Sequence, residues 1–220
     1  MIYLDNAATT LHKPDAVKKA VMEAFDTLGN AGRGASEPAL GAARMIYGAR
    51  ELLAEFFHAE SANCIVFTAN STESLNIALK GLFSEGDHVV TTVLEHNSVL
   101  RPLYECRERG CEITVIGCDE KGNISYEELE AAIKENTRAV VCTHASNLTG
   151  NMIDLRRVGE IDGRRKILLV ADASQTAGID PIAVQELGHD VRGYTGNKRL
   201  LVPRGNGGMH GVGGRMSRHM

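Results

Sequence analysis

The 220-residue sequence predicts an α/β fold: a mostly parallel sheet with helices on both faces. Three observations predict it. Short β-branched apolar runs alternate with amphipathic stretches of about ten or more residues, the rhythm of βαβ units. The strand-like runs are continuously apolar rather than alternating, as strands covered on both faces must be. The composition, 43% hydrophobic and 24% charged, is that of an ordinary globular domain.

The elements follow in order. Residues 14–28 read as a helix, with Pro14 in its first turn and Gly29 past its end. Residues 36–57 read as a long helix with Ser36 as N-cap and Glu37 in the first turn. A buried strand over 64–68 precedes a helix over 71–83, which Glu85-Gly86 ends. A strand over 88–93, a helix over 98–109 stopped by Gly110, and a strand over 112–116 come next. Ser125-Tyr-Glu-Glu128 is a capping box that opens another helix. Strands over 138–143 and 166–171 flank a short helix over 154–161, and a last strand covers 190–194. No linker or domain boundary is visible before about residue 195, so residues 1–201 are expected to form one domain. Residues 202–220, rich in Gly, Arg and His and without core periodicity, are expected to be a poorly packed tail.

Bulk properties exclude several functions. Net charge is -4 and no basic stripe stands out, which argues against a nucleic-acid partner. The longest apolar runs, 64–67 and 167–171, are far too short to span a bilayer. The start, Met1-Ile-Tyr-Leu-Asp-Asn6, has no basic and apolar leader pattern, so a cytoplasmic location is expected. Five cysteines with no C-x-x-C spacing fit reduced thiols and neither a disulfide framework nor a metal site.

Chemistry gathers where strands end. Ser71 and Thr72 open a helix after a strand, where backbone N–H groups and hydroxyls attract phosphate. His96 follows the next strand and can stack on a flat ring. Asn147 can donate to an oxygen, and Asp172 and Gln175 follow the strand over 166–171. Thr195 and Lys198 close the last strand, and a desolvated lysine there is nucleophilic. Taken singly, each has a commonplace reading as a cap, an Asx turn or a surface lysine. Together they supply a phosphate cradle, a ring stacker, an oxygen donor, an acid and an amine, and a parallel sheet brings such strand ends to one edge. A buried acid and a lysine on a neighbouring strand end are what pyridoxal phosphate chemistry needs.

The motifs Leu4-Asp-Asn-Ala-Ala-Thr-Thr10, Thr72-Glu-Ser74, Glu95-His-Asn97, Ser146-Asn-Leu-Thr-Gly150, Asp172-Ala-Ser-Gln175 and Thr195-Gly-Asn-Lys198 resemble the class V aminotransferases, and among them the cysteine desulfurase branch. The resemblance runs from residue 2 to about residue 208. It implies the large domain of a fold type I pyridoxal phosphate enzyme, usually a homodimer. Carried over motif by motif, it makes Lys198 the lysine that joins the cofactor and Asp172 the partner of the pyridine nitrogen. His96 becomes the ring stacker, Asn147 and Gln175 the contacts to the phenolate oxygen, and Ser71, Thr72 and Thr195 the phosphate ligands. Asn6 lies in the segment bordering the substrate. The implied activity removes sulfur from cysteine, leaving alanine and an enzyme persulfide, with a sulfur-acceptor protein as a further partner.

Two departures stand out. Asn197 occupies the place of a family histidine, and Val202-Pro-Arg-Gly-Asn-Gly-Gly208 keeps the glycine spacing of a family motif with different chemistry. The resemblance also implies that the small C-terminal domain, with its substrate-binding arginine and sulfur-accepting cysteine, is missing from this chain. The alternatives are a catalytically inert fragment, and a class V aminotransferase or selenocysteine lyase, because the motifs serve the cofactor and not substrate choice.

Overall fold

A computed structural model describes residues 2–165, 167–179 and 190–211 of the protein. The helices are α1 (Asp15–Thr27), α2 (Glu37–Phe57), α3 (Ser71–Leu82), α4 (Asn97–Glu108), α5 (Tyr126–Ala131) and α6 (Leu155–Arg165). The strands are β1 (Ile65–Thr68), β2 (His88–Thr92), β3 (Glu112–Ile116), β4 (Thr137–Thr143), β5 (Leu168–Asp172), β6 (Val191–Thr195) and β7 (Gly207–Gly211). No helix among the described residues is long and apolar enough to cross a membrane.

The strands form one sheet in the order β1-β7-β6-β5-β4-β2-β3. β2 pairs in parallel with β3 and β4, β4 with β5, and β5 with β6. β7 runs antiparallel to both β6 and β1, so β1 points the same way as the parallel strands. The C-terminal ends of β1, β2, β4, β5 and β6 therefore lie along one edge of the sheet.

The continuous apolar runs divide by strand periodicity. Val89, Ala139, Val141, Leu168 and Val170 face one side, where they pack with Leu75 and Leu79 of α3 and Val99 and Leu103 of α4. Val90, Val140, Cys142, Leu169 and Ala171 face the other, against Leu129 of α5 and Val158 and Ile161 of α6. A third cluster joins Phe57 of α2 to Ile65, Ala177 and Tyr194. Helices cover both faces, as the sequence predicts. Cys64, expected within the first strand, lies instead in a short 3-10 turn (Ala62–Cys64) before it.

The poorly packed tail needs correction over part of its length. Gly207–Gly211 is a buried strand inserted between β6 and β1. Met209 is its one buried apolar side chain, and Gly207 and Gly208 carry none because their neighbours leave no room. A Cβ on Gly207 would stand 2.5 Å from Asn70 Cα, and one on Gly208 would stand 2.4 Å from the Tyr194 hydroxyl. Glycine is here a packing requirement. The rest of the expected tail, 212–220, lies outside the described residues.

Candidate active site

A cavity of about 180 Å³ opens at the C-terminal edge of the sheet. Ser71, Thr72, His96, Asn147, Asp172, Gln175, Thr195 and Lys198 all line it. These are the residues that sequence reasoning drew from separate strand ends. The ninth, Asn6, is not among the lining residues. Its neighbour Ala7 accepts a hydrogen bond from Gln175 Nε2 at 3.3 Å, which places the N-terminal segment at the rim.

The phosphate-type corner is built by the start of α3. Asn70 is the N-cap, and its side chain accepts from Glu73 N–H at 3.0 Å. Glu73 in turn accepts from Ala69 N–H at 2.6 Å. The Ser71 and Thr72 N–H groups belong to the first turn, which has no carbonyl partners inside the helix. Positive helix-dipole potential and free donors thus meet at this corner.

Asp172, the last residue of β5, is 4% exposed. Its Oδ1 accepts from Ser174 N–H at 2.9 Å and from the Ser174 hydroxyl. The Ser174 and Ser71 hydroxyls lie 2.7 Å apart, so the acid is linked to the phosphate-type corner. Lys198 is half-buried, and loss of water pushes its amine below the ordinary lysine value while the Asp172 charge opposes that shift. Lowered basicity favours a nucleophilic amine.

His96 is the N-cap of α4. Its Nδ1 accepts from Ser98 N–H at 3.1 Å, which places the proton of the neutral ring on Nε2. The Ser98 hydroxyl bridges His96 Nδ1 at 2.7 Å and Thr72 Oγ1 at 2.8 Å. The imidazole is thereby held in one orientation.

Sequence reasoning missed several members of this arrangement. Asn70, Ser98, Thr143 and Ser174 also line the cavity. Ser98 and Ser174 each lie two residues beyond a predicted site residue, a spacing that suits local hydrogen bonding and was the available signal. Glu95 lies beneath the site. Its Oε1 accepts from Thr92 Oγ1 at 2.7 Å and Thr143 N–H at 2.8 Å, while its Oε2 is buried without a partner. Burial raises its carboxyl to about 8; the two hydrogen bonds oppose the shift, and nearby Asp172 adds to it. Asn197, beside Lys198, is absent from the cavity lining; its side chain binds Thr195 and Thr9.

Parallel strand ends carrying an acid, a desolvated lysine and an anion-binding helix start define an enzyme-type site at the ligand-binding edge of an α/β sheet. The aminotransferase class-V family model matches residues 2–211, and the chain belongs to that family of enzymes, which uses pyridoxal phosphate. A probable cysteine desulfurase of Methanothermobacter thermautotrophicus is 39% identical over 208 residues, covering 94% of this chain and 52% of the relative. The cysteine desulfurase IscS of Vibrio campbellii is 34% identical, covering 95% of this chain and 53% of its own. The apo structure of a cysteine desulfurase from Thermococcus onnurineus superposes with a TM-score of 0.91 at 32% identity, over 97% of this chain and 54% of that one. A structure of SspA in complex with cysteine gives a TM-score of 0.85 at 29% identity, over 96% of this chain and 61% of that one. The chain thus spans about half the length of the curated relatives it matches.

Proposed function

We propose that this chain carries the cofactor site of a pyridoxal phosphate-dependent, cysteine desulfurase-like enzyme. The observation that carries the reading is the convergence of Lys198, Asp172 and the Ser71–Thr72 helix start on one cavity. The donor set fits the group: an amine for its aldehyde, a buried acid for its ring nitrogen, and hydroxyl and N–H donors for its phosphate. In this reading the cofactor-binding unit runs from the N-terminal segment through β7. The named relatives, and the cysteine held by SspA, support cysteine as substrate. The same reading includes a homodimer, a sulfur-acceptor protein and a cytoplasmic setting.

Bound pyridoxal phosphate supplies an aldehyde and an electron-withdrawing ring. The residues of this chain do the rest. Lys198 would hold the aldehyde through its Nζ amine, and the same nitrogen could accept and return protons as general base and acid. The Asp172 carboxylate would hold a proton on the ring nitrogen, and Ser174 fixes that carboxylate through its N–H and hydroxyl. His96 presents the flat of its ring, held through Nδ1. Asn147 and Gln175 would offer amide donors to the phenolate oxygen, and Ser71, Thr72 and Thr195 would hold the phosphate. Asn6 stands on the substrate side. None of the five cysteines lines the cavity.

The test is a visible absorption spectrum of the protein with added pyridoxal phosphate, then borohydride reduction and peptide mapping. A yellow protein labelled at Lys198 is expected. A colourless protein, or a label spread over other lysines, would end the proposal.

A further inference from the structure

Asn197 connects two parts of the chain that lie far apart in sequence. Its Nδ2 donates to Thr9 Oγ1 at 3.1 Å, and its Oδ1 accepts from Thr195 Oγ1 at 2.6 Å. Its main-chain carbonyl receives Thr9 Oγ1, Thr10 N–H and Thr10 Oγ1, each at 3.1 Å, and Lys13 Nζ at 3.2 Å. A carbonyl oxygen has two lone pairs, so these donors share it, and the main-chain N–H and the ammonium are the strongest claimants. This carbonyl belongs to the peptide unit that continues into Lys198. Its orientation sets the direction in which the lysine side chain leaves the backbone.

Among the described residues the N-terminal segment makes few other hydrogen bonds to the body of the protein. Ile2 and Leu4 are 89% and 91% exposed. Ala8 and Thr9 N–H turn back onto Asp5, a local contact, and Gln175 reaches Ala7. Among the described residues, the hydrogen bonds that tie residues 7–13 to the body of the protein go to Gln175, which lines the cavity, and Asn197, which adjoins Lys198.

We propose that Asn197 is a positioning residue through which the N-terminal segment fixes the placement of Lys198. The role rests on Lys198 being the reactive amine. The asparagine suits it because one side chain both accepts from Thr195 and donates to Thr9, which neither aspartate nor a hydrophobic residue can do. It has a further consequence at the phosphate corner. The Thr195 hydroxyl donates to Asn197 Oδ1, so it must leave that bond to donate to the phosphate.

The experiment uses the full chain without cofactor and two readouts. One is amide hydrogen exchange over residues 5–13. The other is the rate at which trinitrobenzenesulfonate modifies Lys198, read by peptide mapping. Thr9→Val removes a hydroxyl that touches neither Lys198 nor Thr195. Asn197→Ala removes both side-chain bonds, and Asn197→Asp keeps only the acceptor for Thr195. Exchange over 5–13 is expected to rise about three- to tenfold in Asn197→Ala and Asn197→Asp, the loss that one hydrogen bond gives, and at least as much in Thr9→Val, which loses two. Lys198 modification is expected to change by a similar factor, including in Thr9→Val. A loosened N-terminal segment with an unchanged Lys198 rate would overturn the proposal, as would unchanged exchange in both Thr9→Val and Asn197→Ala. Because no cofactor is added, failure here is separate from failure of the pyridoxal phosphate reading.

Discussion

Glu95→Gln gives a pH-dependent stability that can be worked from the structure. Burial holds the Glu95 carboxyl protonated, raising it from 4.5 to about 8. In the unfolded chain it ionises near its ordinary value. Between those two values the unfolded state binds fewer protons than the folded state, so rising pH favours unfolding. The stabilisation is complete below pH 4.5 and lost as pH climbs through about 8. At about 1.4 kcal/mol per pH unit, the loss between pH 5 and pH 8 is about 3–4 kcal/mol. Glutamine cannot ionise, and its amide oxygen can still accept from Thr92 and Thr143. The assay is urea denaturation of both proteins at pH 5 and pH 8. The stability of the variant relative to the parent should improve by about 3–4 kcal/mol across that interval, whatever fixed offset the amide introduces. Parallel pH profiles would refute the placement of a neutral carboxylic acid under the site.

Other perturbations test other parts of the molecule. His210 is 1% exposed, and burial together with the nearby Arg192 charge lowers it from 6.5 to about 3. Its stabilisation is present above 6.5 and lost as pH falls toward 3, so His210→Gln should flatten the acid limb of a stability–pH curve. Gly207→Ala places a methyl 2.5 Å from Asn70 Cα, a backbone atom that cannot swing aside. It should cost about 1–3 kcal/mol in urea and weaken pyridoxal phosphate binding at the start of α3. Leu75, fully buried between α3 and the sheet, should cost about 2–5 kcal/mol when replaced by alanine, measured by the same denaturation.

The central strands were legible because burial on both faces forces apolar runs, and the helices because their caps and glycine stops are local. Thr143 and Asp172 pair directly across β4 and β5, so a parallel sheet brings the ends of those two runs together. The cavity residues were legible for the same reason: each lies just past a strand whose direction the βαβ order dictates. β7 was not legible, since glycines selected by contact with Asn70 and Tyr194 look like loop in one dimension. Glu95 was visible as a letter in Glu95-His96-Asn97, but its burial depends on Thr143, a residue 48 positions away. Asn197 reads in sequence only as a departure from a family histidine. Its bonds to Thr9 join opposite ends of the chain, and no local pattern encodes them.

The place of β7 bears on how the chain assembles. Among the described residues β1 has no neighbour in the sheet except β7. Ile65 must therefore wait on the ribosome until His210, its partner in register, has been synthesised. The parallel strands β2 to β5 can pair long before that, whereas β1 closes a very long loop and does so late. Until then β1, and the end of α2 that packs on Ile65, lack the sheet they join. A nascent chain halted before Gly207 is short of two strands rather than one, and it presents the unpaired edge of β6 to any other chain nearby.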